Sequence, residues 1–375
     1  MNGIIWVSIY LIIVFTVLLL RSSSFKRYNK KGIEICDSVS SRYIKKELVL
    51  VFFFSLLFML VNVVCTKTSI SFGSDRENYL FEFSGRRDTS FGLGLVFTFF
   101  RITLNRFEFV LYFTTFFCCF LVLIAHSFFE YNSTLSLFFI LTTDFVFFTF
   151  TSLKQSYSCA FGALFFLMLT REKTIRRNII CLILILLASL FHSSSIILLP
   201  VLIICNNEKT TNLSLLVYFL SLVLFFIFFN NIGTFLSRLT RVFPSSISDL
   251  FTKYFVNVDS EDESSTIAFL KGAPFYYLFI KGCIHRKRIK KNCKNYDKYL
   301  IILATASALY MCSLYIYWAM RFRAFFYLPA AIFMNVLCRN VSSVEEREIE
   351  IVTIGMNLVL LIRWLYLVFV NYGGF

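Results

Sequence analysis

Apolar runs of about 20 residues recur along this 375-residue chain, each long enough to cross the hydrocarbon core of a bilayer as one helix. In lipid the backbone must satisfy its own hydrogen bonds, which leaves helices and closed barrels as the spanning structures. The runs are continuously apolar rather than alternating, which excludes the barrel. The reading is therefore an all-α, polytopic helical membrane protein, a single integral membrane domain over residues 1–375. Length alone would allow two soluble domains, but 58% hydrophobic content leaves them no polar exterior.

The first run, GIIWVSIYLIIVFTVLLL, has no basic region before it and no small-residue cleavage site after it, so it is expected to stay as a span. Of the 11 cysteines, Cys65, Cys118, Cys119, Cys159 and Cys181 lie inside apolar runs, where cysteine acts as a small hydrophobe and marks no disulfide framework. The net charge of +15 concentrates in short loops, notably RSSSFKRYNKKG, TREKTIRRN and HRKRIKKNCKNYDK. That is a topological pattern, with an anionic membrane surface as its partner and no call for nucleic acid.

Placing those basic loops (21–46, 171–177 and 285–298) in the cytoplasm fixes the parity of everything between them. Spans near 3–20 and 48–65 leave an outer loop over about 66–106, provided SFGLGLVFTFFRITLN lies in the interface or re-enters. Spans near 107–129, 132–150 and 155–170 return the chain to the cytoplasm. The apolar stretch from 178 to 204 is too long for one untilted helix and short for two, so it must go out and back around His192. Spans near 213–229 and 266–284 then enclose a second outer loop over about 230–265, and spans near 299–317, 324–338 and 350–370 follow. The total is about 11–12 spanning or half-spanning helices, with the GAP triplet at 272–274 and Pro329 as expected kink points.

This parity gathers Asp75, Lys154, His192, Arg238, Arg241, Arg321 and Arg323 at the outer face. An ionisable group at membrane depth is a site candidate because its desolvation is costly. Each residue also has a plain structural reading. The arginines can snorkel at span ends, His192 can be a helix-breaking residue satisfied by Ser193, Ser194 and Ser195, and Lys154 can anchor an interface. Asp75 or Ser74 can cap the following helix, and the DSEDE run and Arg86-Arg87 fit a solvated loop. With three histidines (His126, His192 and His285) and no HExxH or paired CxxC, zinc is not expected. No Walker loop, GxGxxG or nucleophile elbow appears either. Cations, one histidine and a few carboxylates on one face suit an anionic lipid-linked substrate: guanidinium groups pair with phosphate oxygens and a base takes a hydroxyl proton.

In four places, in the same order, the chain resembles the EpsG-like, Wzy-type polysaccharide polymerases of bacteria. These are Asp75 with Tyr79, Lys154-Gln155 with Ala160, the ASLFHSSSI segment at 188–196, and Arg321 and Arg323 with Tyr327. It departs from the family in having Lys154 where Arg is commoner, and Ser90-Phe91-Gly92 where an acidic-Pro-Gly-like element is commoner. The first departure keeps the charge but loses the planar fork; the second removes a carboxylate that would serve as base.

The resemblance implies a glycosyltransferase-C-like helical fold and a multi-pass protein of the bacterial inner membrane. It implies a polysaccharide polymerase, with O-antigen of lipopolysaccharide as the expected product, joining undecaprenyl-diphosphate-linked oligosaccharide repeat units at the periplasmic face. No cofactor or metal is needed, because arginines can stabilise the departing diphosphate. A chain-length regulator and a flippase are the implied protein partners. On this reading Arg321 and Arg323 serve the diphosphate, Lys154 and Gln155 the diphosphate or sugar, and His192 or Asp75 the base. Tyr79, Arg238 and Arg241 add substrate contacts. Two other readings fit a similar composition: an O-antigen ligase, whose usual large outer loop with a histidine is not evident at 230–265, and a flippase with a cationic cavity.

Overall fold

The computed structural model describes residues 41–67, 75–129, 134–141, 152–207, 265–293, 295–312 and 319–372. Every regular element among them is helical. The spans expected near 3–20 and 213–229, the outer loop 230–265 with Arg238 and Arg241, and most of 132–150 lie outside the described residues.

The chain divides into two compact units, residues 1–196 with 357–375, and residues 197–356. The first holds α1 (Ser41–Lys67), α2 (Asp75–Phe83), α3 (Phe91–Thr103), α4 (Phe107–Phe128), α5 (Thr134–Leu141), α6 (Leu153–Leu169) and α7 (Ile175–Phe191). The second holds α8 (Leu198–Asn206), α9 (Ser265–Ile289), α10 (Tyr296–Cys312), α11 (Ala319–Arg323) and α12 (Tyr327–Cys338). The last helix, α13 (Ser343–Tyr372), begins in the second unit and ends in the first.

In the first unit α6 and α7 form an antiparallel hairpin. Ser158 donates to the Ala188 carbonyl at 3.1 Å, and the Tyr157 and Phe191 rings stack at 4.4 Å. The hairpin turns at residues 170–174, where Thr174 caps α7 by accepting from the Arg177 amide at 3.1 Å. Helix α4 runs parallel to α6, with Thr114 donating to the Tyr157 hydroxyl at 3.1 Å and Phe117 meeting Phe161. Helix α1 is tied to α4 by buried Asn62, which donates to Thr115 Oγ1 at 2.6 Å and to the Leu111 carbonyl at 3.3 Å. The starts of α4 and α6 and the end of α7 thus share one end of the unit, and the basic turn TREKT forms the opposite end.

Outward faces are themselves apolar. Ile175, Ile179, Leu182, Ile183 and Leu186 are exposed along α7, and Phe91, Leu95, Phe99 and Ile102 along α3. Such continuous apolar stripes are unfavourable against water and suited to lipid. Among the described residues, Phe107–Phe128 and Arg321–Cys338 are long and apolar enough to cross a membrane. Shorter apolar helices cover Leu48–Val63, Phe91–Thr103, Leu153–Leu169 and Ser193–Asn206. At 13 residues, α3 is about 20 Å long and too short for a full crossing.

In the second unit α9 and α10 pack so closely at Gly282 that a Cβ there would lie 2.7 Å from Phe333 and 2.9 Å from Leu300. Pro274 sits inside α9, which continues through it, whereas Pro329 lies in the first turn of α12, where its missing N–H costs nothing. Burial works against the charge of Asp297, but hydrogen bonds from Arg286 and Lys290 outweigh it and hold its carboxyl below the usual range. The start of α13 is fastened to α9 by Lys281 and Tyr277 on Glu348.

Candidate functional site

The end of the first unit opposite its basic turn carries a polar cluster built from α2, α6 and the break after α7. Helix α6 opens at Leu153, placing Lys154 and Gln155 in its first turn, and α7 stops at Phe191. His192 is extended, with φ −150° and ψ 126°, and the chain then turns through a 3₁₀ segment, Ser193–Ile197. Three consecutive serines that hydrogen-bond locally compete with helix continuation, so the break follows from the sequence. Ser195 donates to the His192 carbonyl at 3.0 Å, and its hydroxyl lies 2.8 Å from that of Ser189.

His192 Nδ1 accepts from the Ser194 amide at 3.1 Å and lies 2.7 Å from Ser194 Oγ. An amide can only donate, so the neutral ring carries its hydrogen on Nε2. Ser194 Oγ donates to Gln155 Oε1 at 3.4 Å. The opposite end of the Gln155 amide donates to Cys159 Sγ at 3.4 Å. Gln155, Ser194 and His192 form one chain across the α6–α7 hairpin.

Lys154 Nζ donates to Glu82 Oε1 at 2.8 Å and sits 5.8 Å from the centroid of the buried Tyr79 ring. The glutamate side chain is only 6% exposed and the lysine 23%. Glu82 Oε2 is buried and has no hydrogen-bond partner. In the connection that follows α2, Thr89 Oγ1 and Ser90 Oγ are likewise buried without partners. Buried polar atoms are nearly always paired, and three that are not fall within residues 82–90.

The structure therefore brings together Tyr79, Lys154, Gln155 and His192. It adds Glu82, to which the sequence reading assigned no role. Asp75 is the first residue of α2, with Ser74 and the Asp75 side chain outside the described part. In the second unit Arg323 is 1% exposed and stacks on Tyr310, its guanidinium carbon 4.8 Å from the ring centroid. Arg321 is half-buried in the middle of α11, six residues before Tyr327 begins α12. Arg86 and Arg87 are exposed, with Arg87 donating to Asn78 at 2.8 Å.

Residues 49–374, a stretch that takes in every element of this cluster, match the EpsG family. The chain belongs to the EpsG family. Membership places it among polysaccharide-biosynthesis proteins with membrane helices, as the resemblance in its motifs implied. No curated protein and no solved structure matches it.

The cluster leans on one tight contact. A Cβ at Gly92 would lie 2.9 Å from Cδ2 of Phe191, whose ring is held between Tyr157 at 4.4 Å and Phe161 at 5.9 Å. Gly92→Ala is expected to cost about 1–3 kcal/mol through overpacking and to displace the residue just before His192. A melting temperature in detergent together with glycan chain length checks this; an unchanged melting temperature would show that α3 and α7 do not pack as described.

Proposed function

We propose that this EpsG-family protein is a polysaccharide polymerase of the bacterial inner membrane, a membrane glycosyltransferase joining lipid-diphosphate-linked repeat units at the periplasmic face. The observation that carries this reading is the Lys154–Glu82 pair beside the His192–Ser194–Gln155 chain, at the end of the first unit opposite its basic turn. A basic turn is held in the cytoplasm, so the cluster faces the periplasm, where flipped lipid-linked glycans are found. The apolar outward stripes of α3 and α7 face lipid, and a multi-pass arrangement of about 11–12 helices completes the reading.

The chemistry needs charge to meet a departing diphosphate, an acceptor for a hydroxyl proton and donors that orient sugars. Lys154 supplies a cation, the imidazole Nε2–H of His192 a donor, and Gln155 and Tyr79 amide and aromatic contacts for a sugar ring. In the second unit half-buried Arg321 offers a guanidinium group to an anionic group, with buried Arg323, over the Tyr310 ring, adding positive charge behind it. The product assigned is O-antigen, the carrier undecaprenyl diphosphate, and the partners a flippase and a chain-length regulator.

The glycolipids of a deletion strain test this. Loss of a polymerase leaves one repeat at the cell surface. Loss of a flippase leaves none there, and loss of a ligase leaves long chains on the undecaprenyl carrier. Either of the last two profiles would overturn the assignment.

A further inference from the structure

Glu82 is the buried charge whose arrangement the roles above do not use. One of its oxygens is satisfied by Lys154 at 2.8 Å, and the other is buried with no partner. A half-satisfied carboxylate costs stability, and such groups persist where a ligand supplies the missing bond. Thr89 and Ser90, a few residues on, hold two more buried hydroxyls without a partner. Glu82 Oε2, an acceptor only, takes a donor, and a glycan hydroxyl is one.

We propose that Glu82 is the catalytic base, and that the donor's diphosphate uncovers it by drawing Lys154 away. This rests on the polymerase reading. The lysine is suited to the exchange: its charge rides on a flexible stem, its side chain is 23% exposed, and a diphosphate offers more negative charge than one carboxylate. The acceptor hydroxyl oxygen forms its bond to the donor's anomeric carbon while the bond from that carbon to the diphosphate oxygen breaks. The bonding pair leaves with the diphosphate, which Lys154 meets, and the hydroxyl proton passes to Glu82 Oε2. Glu82 then releases the proton to water, and the ion pair re-forms when the lipid diphosphate departs. Asp75 is not needed as base, and His192 acts as a donor.

Glu82→Gln keeps a carbonyl oxygen for Lys154 to donate to but removes the proton acceptor. In a deletion host, this variant is expected to leave single repeats, with polymer yield lower by roughly 10²–10⁴-fold. Glu82→Asp is expected to give an intermediate yield. Purified Glu82→Gln protein in detergent is expected to bind undecaprenyl diphosphate at least as tightly as the natural protein, since Lys154 no longer has a competing carboxylate. Full-length chains from Glu82→Gln in a host whose deletion gives single repeats would overturn the base assignment alone. Loss of undecaprenyl diphosphate binding in both variants would reduce Glu82 to a structural part and overturn it too. A deletion profile without single repeats would instead remove the polymerase reading, whatever the variants do.

Discussion

Lys154→Ala is expected to destabilise the first unit by roughly 2–4 kcal/mol, because it strands the Glu82 carboxylate in a site only 6% exposed. The figure lies below that of a fully enclosed pair because the lysine is 23% exposed and partly screened. Removing both charges relieves the penalty: Lys154→Met with Glu82→Gln should recover most of the lost melting temperature. It should recover none of the polymer. Thermal unfolding of the natural protein, Lys154→Met, Glu82→Gln and the double variant in one detergent gives the coupling directly, since the residues touch and their effects cannot add. A Lys154→Ala protein that melts with the natural one would show that the pair at 2.8 Å does not form, and the proposed exchange of partners would fall with it.

Why this pair was hidden in the sequence while its neighbour was plain is a matter of context. Lys154-Gln155 and His192 interrupt apolar runs, where any polar side chain is conspicuous, and the break at His192 follows from three serines able to bond their own backbone. Glu82 lies in SDRENYLFEFSGRRDTS, where charges are common and none stands out. Its partner is 72 residues away, and no local periodicity reports a contact of that range. One signal was present. Tyr79, Glu82 and Phe83 share a helical face, and that face is buried, while Leu80 and Phe81 are exposed. A carboxylate on the aromatic face with aliphatic and aromatic residues turned outward inverts the soluble pattern, as a helix lying against lipid would.

The helical class was legible for a simpler reason, since continuous apolar runs leave the backbone no other way to satisfy itself in lipid. Individual spans were less so. Arg321–Cys338 qualifies by length only because α11, a 3₁₀ turn and α12 follow one another without a gap. The parity that places each loop came from charge, which no helix length can replace.

The hydrogen on His192 separates two mechanisms. With the Ser194 amide donating to Nδ1 at 3.1 Å, the neutral imidazole carries its hydrogen on Nε2, which makes it a donor toward substrate. His192→Ala is expected to lower polymer yield by roughly 10²–10³-fold, the loss that follows removal of one donor from a developing oxyanion. His192→Gln is the informative change. Its side-chain nitrogen reaches about as far as Nε2 and still donates, but it cannot accept a proton as imidazole does. If His192 is a donor and Glu82 the base, His192→Gln should retain polymer within about 10-fold of the natural protein while Glu82→Gln makes single repeats. Should His192→Gln be as inactive as His192→Ala, with both proteins melting normally, the imidazole itself takes the proton and the two residues exchange the roles assigned to them.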